Sequence, residues 1–573
     1  MITGALSAAA SSLKAQQQAI DVISHNIANV NTPGYSRQTA TLSTAAPDSQ
    51  GAFHFGRGVN LTDIQRAVDP FLSRALDTNS NQLAYSQTLE QGLNSVESVF
   101  GSLDTPGLAS SLDDFFQSYQ SLANNPQDTA QRNNVRGRAL DITTHLHTMR
   151  GQLVSAQSNT DNGIDSAITK ANQLLDQLAS LNTQISAREN TTGNPANDLR
   201  DQRDMAVRKL STLIPVQTIS GNSTAFMIQS KGGDLLAQDG DVRHLARGAS
   251  GGNGFTSVVL SGSSVKVAGI DSGGEIGGLL TLRDNRLGGY ISQLDSLASN
   301  LSFGLNQLHA NGSGLNPNST LSSEMSASTP ASALDAAGQN IPFASQIVSG
   351  SFKVHVYDAA GAPLLAGGAN ISITQGSTTV NQLVSQLNAV GGISASLDAG
   401  NHIVLDAGGG SVALSSDTSN VLAAYEIGTF FHGDNAANIA LSTAVTADSN
   451  RIAAGSVNAT TSINNPGGND VALQIIDFQN TALTVDGSNS ASVLERSTGL
   501  AMDYAGHVQS SNQQRVFRDA EAQSLNAQRQ AMAGVSTDDE LIHMIEFQRA
   551  YEASAKVIQT SNTMLDSLMS LIR

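Results

Sequence analysis

The 573 residues predict a mainly α fold with β insertions, and three patterns carry that expectation. The two ends bear matching seven-residue apolar stripes. A long stretch in the first third steps between apolar positions by alternating fours and threes. Short β-rich runs bounded by Gly, Asn and Asp interrupt the helical texture. The length allows three or four domains with sizeable cores.

The first element is a terminal helix. Leu6, Leu13, Ile20 and Ile27 share one heptad position, and Ala9, Ile23 and Val30 fall three residues later, with Gln16 as a polar break. Alone, such a helix buries nothing and is marginal in water. The last stretch keeps the same period through Leu541, Met544, Tyr551, Ala555, Ile558, Leu565, Met569 and Ile572, broken at Gln548 and Asn562. The seams are expected to pair with each other and with other copies of the chain. Leu6, Leu13, Ile20, Ile23, Ile27, Val30, Leu541, Met544, Tyr551, Ile558, Leu565, Met569 and Ile572 are therefore the candidate assembly residues. Thr537 followed by Glu540 reads as a capping box opening the last helix.

Between the ends, Asn31-Thr32-Pro33-Gly34 is a turn signal that stops the first helix. Residues 38–63 have little helical period and read as an extended connector. Leu83, Leu89, Leu93, Val96 and Phe100 restore a helical stripe, and Thr105-Pro106-Gly107 turns the chain. Leu112, Phe115, Phe116, Tyr119 and Leu122 form the buried face of a short helix. From Val135 to Ile185 the four-three stepping predicts one long helix or two nearly collinear ones, with a phase slip at residues 159–163.

Residues 216–274 change to short strands such as Phe226-Met227-Ile228, a small sheet. Tyr290, Leu294, Leu297, Leu301, Leu305 and Leu308 bring helix back. Residues 319–426 differ most. Phe352, Val354 and Val356 alternate with polar residues, residues 380–390 suggest a helix, and Asp398-Ala399-Gly400-Asn401 is a turn between two further runs, so two hairpins around one helix are expected. Helices then run to the end. The expected domains are 1–37 with 535–573, a terminal coiled-coil-like pair; 38–215, 275–318 and 427–534, a long-helix bundle; 216–274, a small β subdomain; and 319–426, an inserted β-rich domain.

Composition narrows the function. Thirty basic against 48 acidic residues give a net charge of −18, spread without blocks, which argues against nucleic acid and anionic membranes as partners. The absence of cysteine excludes disulfides, thiolate metal ligands and thiol catalysis. Residues 1–12 lack the basic start of a secretory signal, and no run of 18 apolar residues suggests a membrane span. By these rules alone the chain would be placed in the cytoplasm.

The run Ser24-His25-Asn26-Ile27-Ala28-Asn29-Val30-Asn31-Thr32-Pro33-Gly34-Tyr35-Ser36-Arg37-Gln38 resembles the amino-terminal signature of bacterial flagellar rod, hook and hook-associated proteins. Gly534-Val535-Ser536-Thr537-Asp538-Asp539-Glu540-Leu541 and the run from Gln548 to Lys556 are similar to the same family's other end. Residues 197–204, 277–284, 430–436 and 451–454 also resemble it, whereas 319–426 does not. Tyr35-Ser36-Arg37-Gln38 is closer to the hook-associated branch than to hook protein.

The resemblance implies a structural role outside the cell, at the junction of flagellar hook and filament, after export through the flagellar type III channel without a cleaved signal. It implies four partners: further copies of the chain in a ring or tube segment, hook protein, a second junction protein on the filament side, and an export chaperone at the C-terminal helix. Another axial protein, hook or distal rod, is the alternative. His25, Asn26, Asn29 and Tyr35 mark the motif turn, with local helix capping and subunit contact as equal readings.

Enzymatic motifs are weak. Gly248-Ala249-Ser250-Gly251-Gly252 matches the nucleophile elbow only in letters, since that elbow needs a strand entering and a helix leaving. A hydrolase in the insertion, with Ser250 or Asp398 at its centre, is the remote reading. Asp77-Thr78-Asn79-Ser80-Asn81 begins like a calcium loop, but Gln82 and Thr88 replace the required Gly and Glu, so it is expected on a helix surface. His145 and His147 are expected on a solvated helix face. No phosphate-binding or zinc-binding motif occurs, and no cofactor or metal is expected.

Overall fold

A computed structural model of the chain describes residues 2–50, 53–101, 107–192, 194–220, 226–251, 254–315, 317–483 and 490–571. The expected turn at Thr105-Pro106 and the seam residue Ile572 lie outside them. The fold is mainly helical with small antiparallel sheets. Two compact units form: Met1–Gly92, Thr160–Leu282 and Gln509–Arg573 make one, and Leu93–Asn159 with Arg283–Val508 make the other.

In the first unit the N-terminal helix spans Ile2–Ala28. The turn after it relies on Gly34, whose φ of +86° suits a residue without Cβ. The expected extended connector is a hairpin, Gln38–Thr44 against Val59–Arg66, continued by the short pair Asp48–Gln50 and Phe53–Phe55. A bulge after Thr41 lets Leu42 face Leu61. The hairpin packs along the N-terminal helix: Ser11 Oγ accepts from Val59 N–H at 3.3 Å.

The helix Asn197–Leu213 leads into a four-stranded sheet, Val216–Ser220, Phe226–Ser230, Leu235–Gln238 and Asp241–Val242, paired in chain order. A separate hairpin joins Leu245–Ser250 to Thr256–Leu260. Both sheets cover the second half of the long helix, and Ile164, Leu175, Leu178, Leu210, Ile228 and Val258 meet in one core. The helix Pro70–Asn94 carries the stretch expected on a solvated surface. That expectation fails, because its amides are spent inside. Asn79 donates to Glu521 at 2.6 Å and Asn81 to the Ser211 carbonyl at 2.6 Å. Asp77 lies 3.4 Å from Arg208, yet burial outweighs the guanidinium and pushes its carboxyl up to about 6.

In the second unit the helix Leu108–Asn124 buries Leu112, Phe115, Phe116, Tyr119 and Leu122. The four-three stretch is a single helix, Thr129–Thr192, so the phase slip is absorbed without a break; its first half belongs to this unit. His145 departs from expectation: half-buried, its Nδ1 sits 2.7 Å from Ser111 Oγ. His147 is exposed. A π-helical turn, Thr281–Leu287, leads into the helix Gly288–His309.

Each expected hairpin of the insertion is completed by a third strand. Gly350–Tyr357 lies between Ala369–Ile373 and Ser411–Ser415, and His402–Asp406 lies between Thr320–Ser326 and Ser394–Leu397. The helix Val380–Asn388 opens with a full capping box from Thr379 to Gln382 and buries Val380, Leu383 and Leu387. Asp398 shapes its turn, accepting from Gly400 and His402 N–H at 2.8 Å each. Ser250 is the exposed last residue of a strand and not an elbow.

Candidate assembly site: the motif turn and the terminal helices

Asn26, on the last turn of the N-terminal helix, is fully buried. Its amide donates to the Gln38 carbonyl at 2.8 Å and to Glu540 Oε2 at 3.0 Å. Its oxygen accepts from Gln38 N–H at 2.9 Å and from the Tyr35 hydroxyl at 2.7 Å. Two donors and two lone pairs are all the side chain has, and all are used. One amide thus joins the helix, the hairpin strand after the turn and the C-terminal helix.

Tyr35 gives its proton to Asn26, so its oxygen accepts from His25 Nδ1 at 3.1 Å. Burial, reinforced by Asp198, Asp201 and Glu540, raises the Tyr35 pKa and keeps the phenol a donor. His25 Nε2 is also 3.6 Å from Asp198. Asn29 closes the helix end, donating to the His25 carbonyl at 3.0 Å and accepting from Thr32 Oγ1 at 3.0 Å.

Around this turn the helix Asn197–Leu213 presents an acidic edge. Asp198 accepts from Gln38 Nε2 at 2.9 Å, and Asp201 accepts from Ser36 N–H at 3.0 Å. Arg66, at the end of the hairpin, reaches Asp201 at 2.7 Å and Asp204 at 2.9 Å through one nitrogen. Burial pushes the Asp201 carboxyl above its ordinary range against the pull of Arg66. Asn197 donates to the Ile64 carbonyl at 2.7 Å, which fastens the hairpin's other strand.

The C-terminal helix, Thr537–Leu571, runs antiparallel to the N-terminal one. Ser12 faces Ser554 at 2.9 Å between hydroxyls, and Asn26 faces Glu540, so residue numbers fall along one helix as they rise along the other. Its cap differs from the expected box. Ser536 Oγ accepts from Asp539 N–H at 3.3 Å, which makes Ser536 the cap, and Glu540 instead turns onto Asn26 and, at 2.6 Å, Arg37 Nε.

Of the candidate seam residues, Ile23 is buried, and Leu6, Leu13, Ile20, Ile27, Met544, Ile558 and Leu565 are half-buried. Val30, Leu541, Tyr551 and Met569 are exposed, Met569 by 70%. The C-terminal helix turns Glu540, Phe547, Ser554 and Ser561 toward its partner, one residue earlier in each heptad than Leu541, Gln548, Ala555 and Asn562. Leu541, Ile542 and Ile545 therefore form an apolar patch open to solvent at the start of the helix, and Val557 with Met564 a smaller one on another side.

Sequence reasoning gave Arg37 and Gln38 only as letters of the motif, Asp198 and Asp201 only within a family-like run and Glu540 only as a helix cap, and it missed Arg66. A signal existed for the acids: Asp198, Asp201 and Asp204 recur every third residue and so lie on one helical edge.

Comparison with known proteins matches this layout. Residues 6–35 match a family described as "Flagella basal body rod protein", residues 527–571 "Flagellar basal body rod FlgEFG protein C-terminal", and residues 93–322 "Flagellar hook-associated protein FlgK helical domain". Flagellar hook-associated protein 1 of Escherichia coli K12 is 25% identical over 575 residues, covering 98% of each chain. Along its whole length the chain is similar to flagellar hook-associated protein 1.

Proteins of that name from other bacteria agree over shorter spans. The Salmonella typhimurium protein is 29% identical over 53% of this chain and 56% of its own length, and the Bacillus subtilis protein 29% over 54% and 67%. The fold is that of the flagellar hook junction protein FlgK from Burkholderia pseudomallei, with a TM-score of 0.51 at 16% identity over 80% of this chain and all of that one.

Proposed function

We propose that the chain is a structural component of the bacterial flagellum, an adaptor at the hook–filament junction that assembles through its terminal helices. The observation that carries this is the apolar patch of Leu541, Ile542 and Ile545 on the C-terminal helix, left open beside a motif turn that holds the helix pair in a defined direction. An apolar helix patch left uncovered among the described residues favours a partner. The rod-type matches are confined to the two ends, and the match between them is of the hook-associated kind, which favours the junction over rod or hook.

On this reading the partners are further copies of the chain, hook protein on one side and a second junction protein on the other. The terminal helices order on incorporation, which suits export through a narrow channel without a cleaved signal. The C-terminal helix, whose apolar patch is exposed, is where an export chaperone would bind. The work is mechanical, not enzymatic.

Deleting residues 541–573 tests the reading. The truncated chain should stay soluble, while cells carrying it should make hooks without filaments and release unpolymerised flagellin. Filaments of normal number on such cells would overturn it.

A further inference from the structure

Greasiness alone would turn the C-terminal helix differently. At its first turn the chain buries Glu540 and leaves the next residue, Leu541, 48% exposed, the reverse of what hydrophobicity favours, while further along Met544, Phe547, Ile558 and Leu565 are partly covered. Something opposes that local preference, and a charged contact lies at this turn. The Glu540 side chain is 1% exposed, whereas Asp538, Asp539 and Leu541 around it are exposed. Its two oxygens take the Asn26 amide and the Arg37 guanidinium.

Both donors have other anchors besides Glu540. Asn26 is held by Gln38 and Tyr35, and Arg37 is pinned through its own backbone, donating to the Ala533 carbonyl at 3.0 Å and accepting from Ala67 N–H at 2.8 Å. A carboxylate turned away from them while still covered would be a buried charge without partners, which outweighs the gain from covering one more leucine.

We propose that Glu540 is a positioning residue that sets the rotation of the C-terminal helix, turning Leu541, Ile542 and Ile545 outward for neighbouring copies. This rests on the assembly reading above and adds the residue that orients the assembling face. Asn26 and Arg37 are its receptors, and the Ser12–Ser554 contact is the readout of the setting.

The chain has no cysteine, so introduced pairs report rotation cleanly. Flagella are isolated from cells carrying the full-length chain with Ser12→Cys and Ser554→Cys, or with Ser12→Cys and Ala555→Cys, and mild oxidation yields are compared. The 12–554 pair should crosslink in the otherwise unchanged chain. Glu540→Leu or Arg37→Ala should shift the ratio of the two yields toward 12–555 by about tenfold. Exchanging the charges, Arg37→Glu with Glu540→Arg, should restore 12–554. The proposal is overturned if Glu540→Leu leaves the ratio unchanged, or if both yields vanish together in Glu540→Leu and in Arg37→Ala. If the unsubstituted chain is absent from the flagella, it is the assembly reading that fails.

Discussion

Arg66 and Asp201 meet at 2.7 Å with both side chains largely out of water, and the same Asp201 caps the Ser36 amide of the motif turn. The ion pair therefore fastens the hairpin and the turn to one helix. The two halves of the pair are unequal. Arg66→Ala leaves Asp201 buried with only Ser36 donating to it, whereas Asp201→Asn leaves Arg66 its second partner, Asp204. Arg66→Ala should cost about 3–5 kcal/mol and Asp201→Asn distinctly less, read from urea unfolding of the first unit.

Asn26 offers a sharper test because its bonding is saturated. Asn26→Asp keeps the shape but removes both donors and places a carboxylate against Glu540. Hydrogen exchange at the Gln38 amide should rise by orders of magnitude, and stability should fall by about 2–4 kcal/mol. Asn26→Ala, which adds no charge, should fall less far. Equal protection of Gln38 in all three chains would refute the account of the turn.

His309 predicts an acid limb in the second unit. Its Nδ1–H donates to the Gly428 carbonyl at 2.9 Å and its Nε2 accepts from Ala453 N–H at 3.0 Å, so the neutral ring is required. Burial pushes its pKa from 6.5 down to about 4. Because the folded value lies below the unfolded one, the stabilisation is complete above pH 6.5 and is lost as pH falls toward 4. That loss amounts to about 3 kcal/mol. His309→Gln should flatten the slope of unfolding free energy between these pH values; an unchanged slope would remove His309 as its source.

Gln386 guards a sheet edge. Ala369–Ile373 is an outer strand, and the Gln386 amide accepts from Ser372 N–H and donates to the Ser372 carbonyl, both at 3.1 Å, as a neighbouring strand would. Gln386→Ala should lower stability by about 1–2 kcal/mol. It should also promote self-association with concentration, seen by sedimentation, whereas Gln386→Glu should restore solubility by charge.

Much of this was legible in the residues, and the failures share a cause. Helices showed wherever apolar positions recur on one face, as in Ile142, Leu146, Leu153 and Ile164. Local turns showed through Gly34 and Asp398. What stayed hidden depends on partners far away in sequence. Thr320–Ser326 and Ser411–Ser415 look like loops until strands beyond them supply the other half of the ladder. Asn79 and Asn81 look solvated until Glu521 and the Ser211 carbonyl appear. Glu540 read as a local cap because Thr537 stood in register, and nothing nearby announced Arg37, 503 residues away. In the assembly site the motif residues could be found, but the acids and arginines that hold them could not.

The two terminal helices meet at Ser12 and Ser554, with Ile23 buried and Met544, Phe547, Ile558 and Leu565 partly covered along them. Most of these are only half-covered, so the pair by itself hides a modest apolar surface from water. Its direction comes from the polar knot at Asn26, and any firmness must come from repetition, as teeth of a zip are feeble singly and strong in a row.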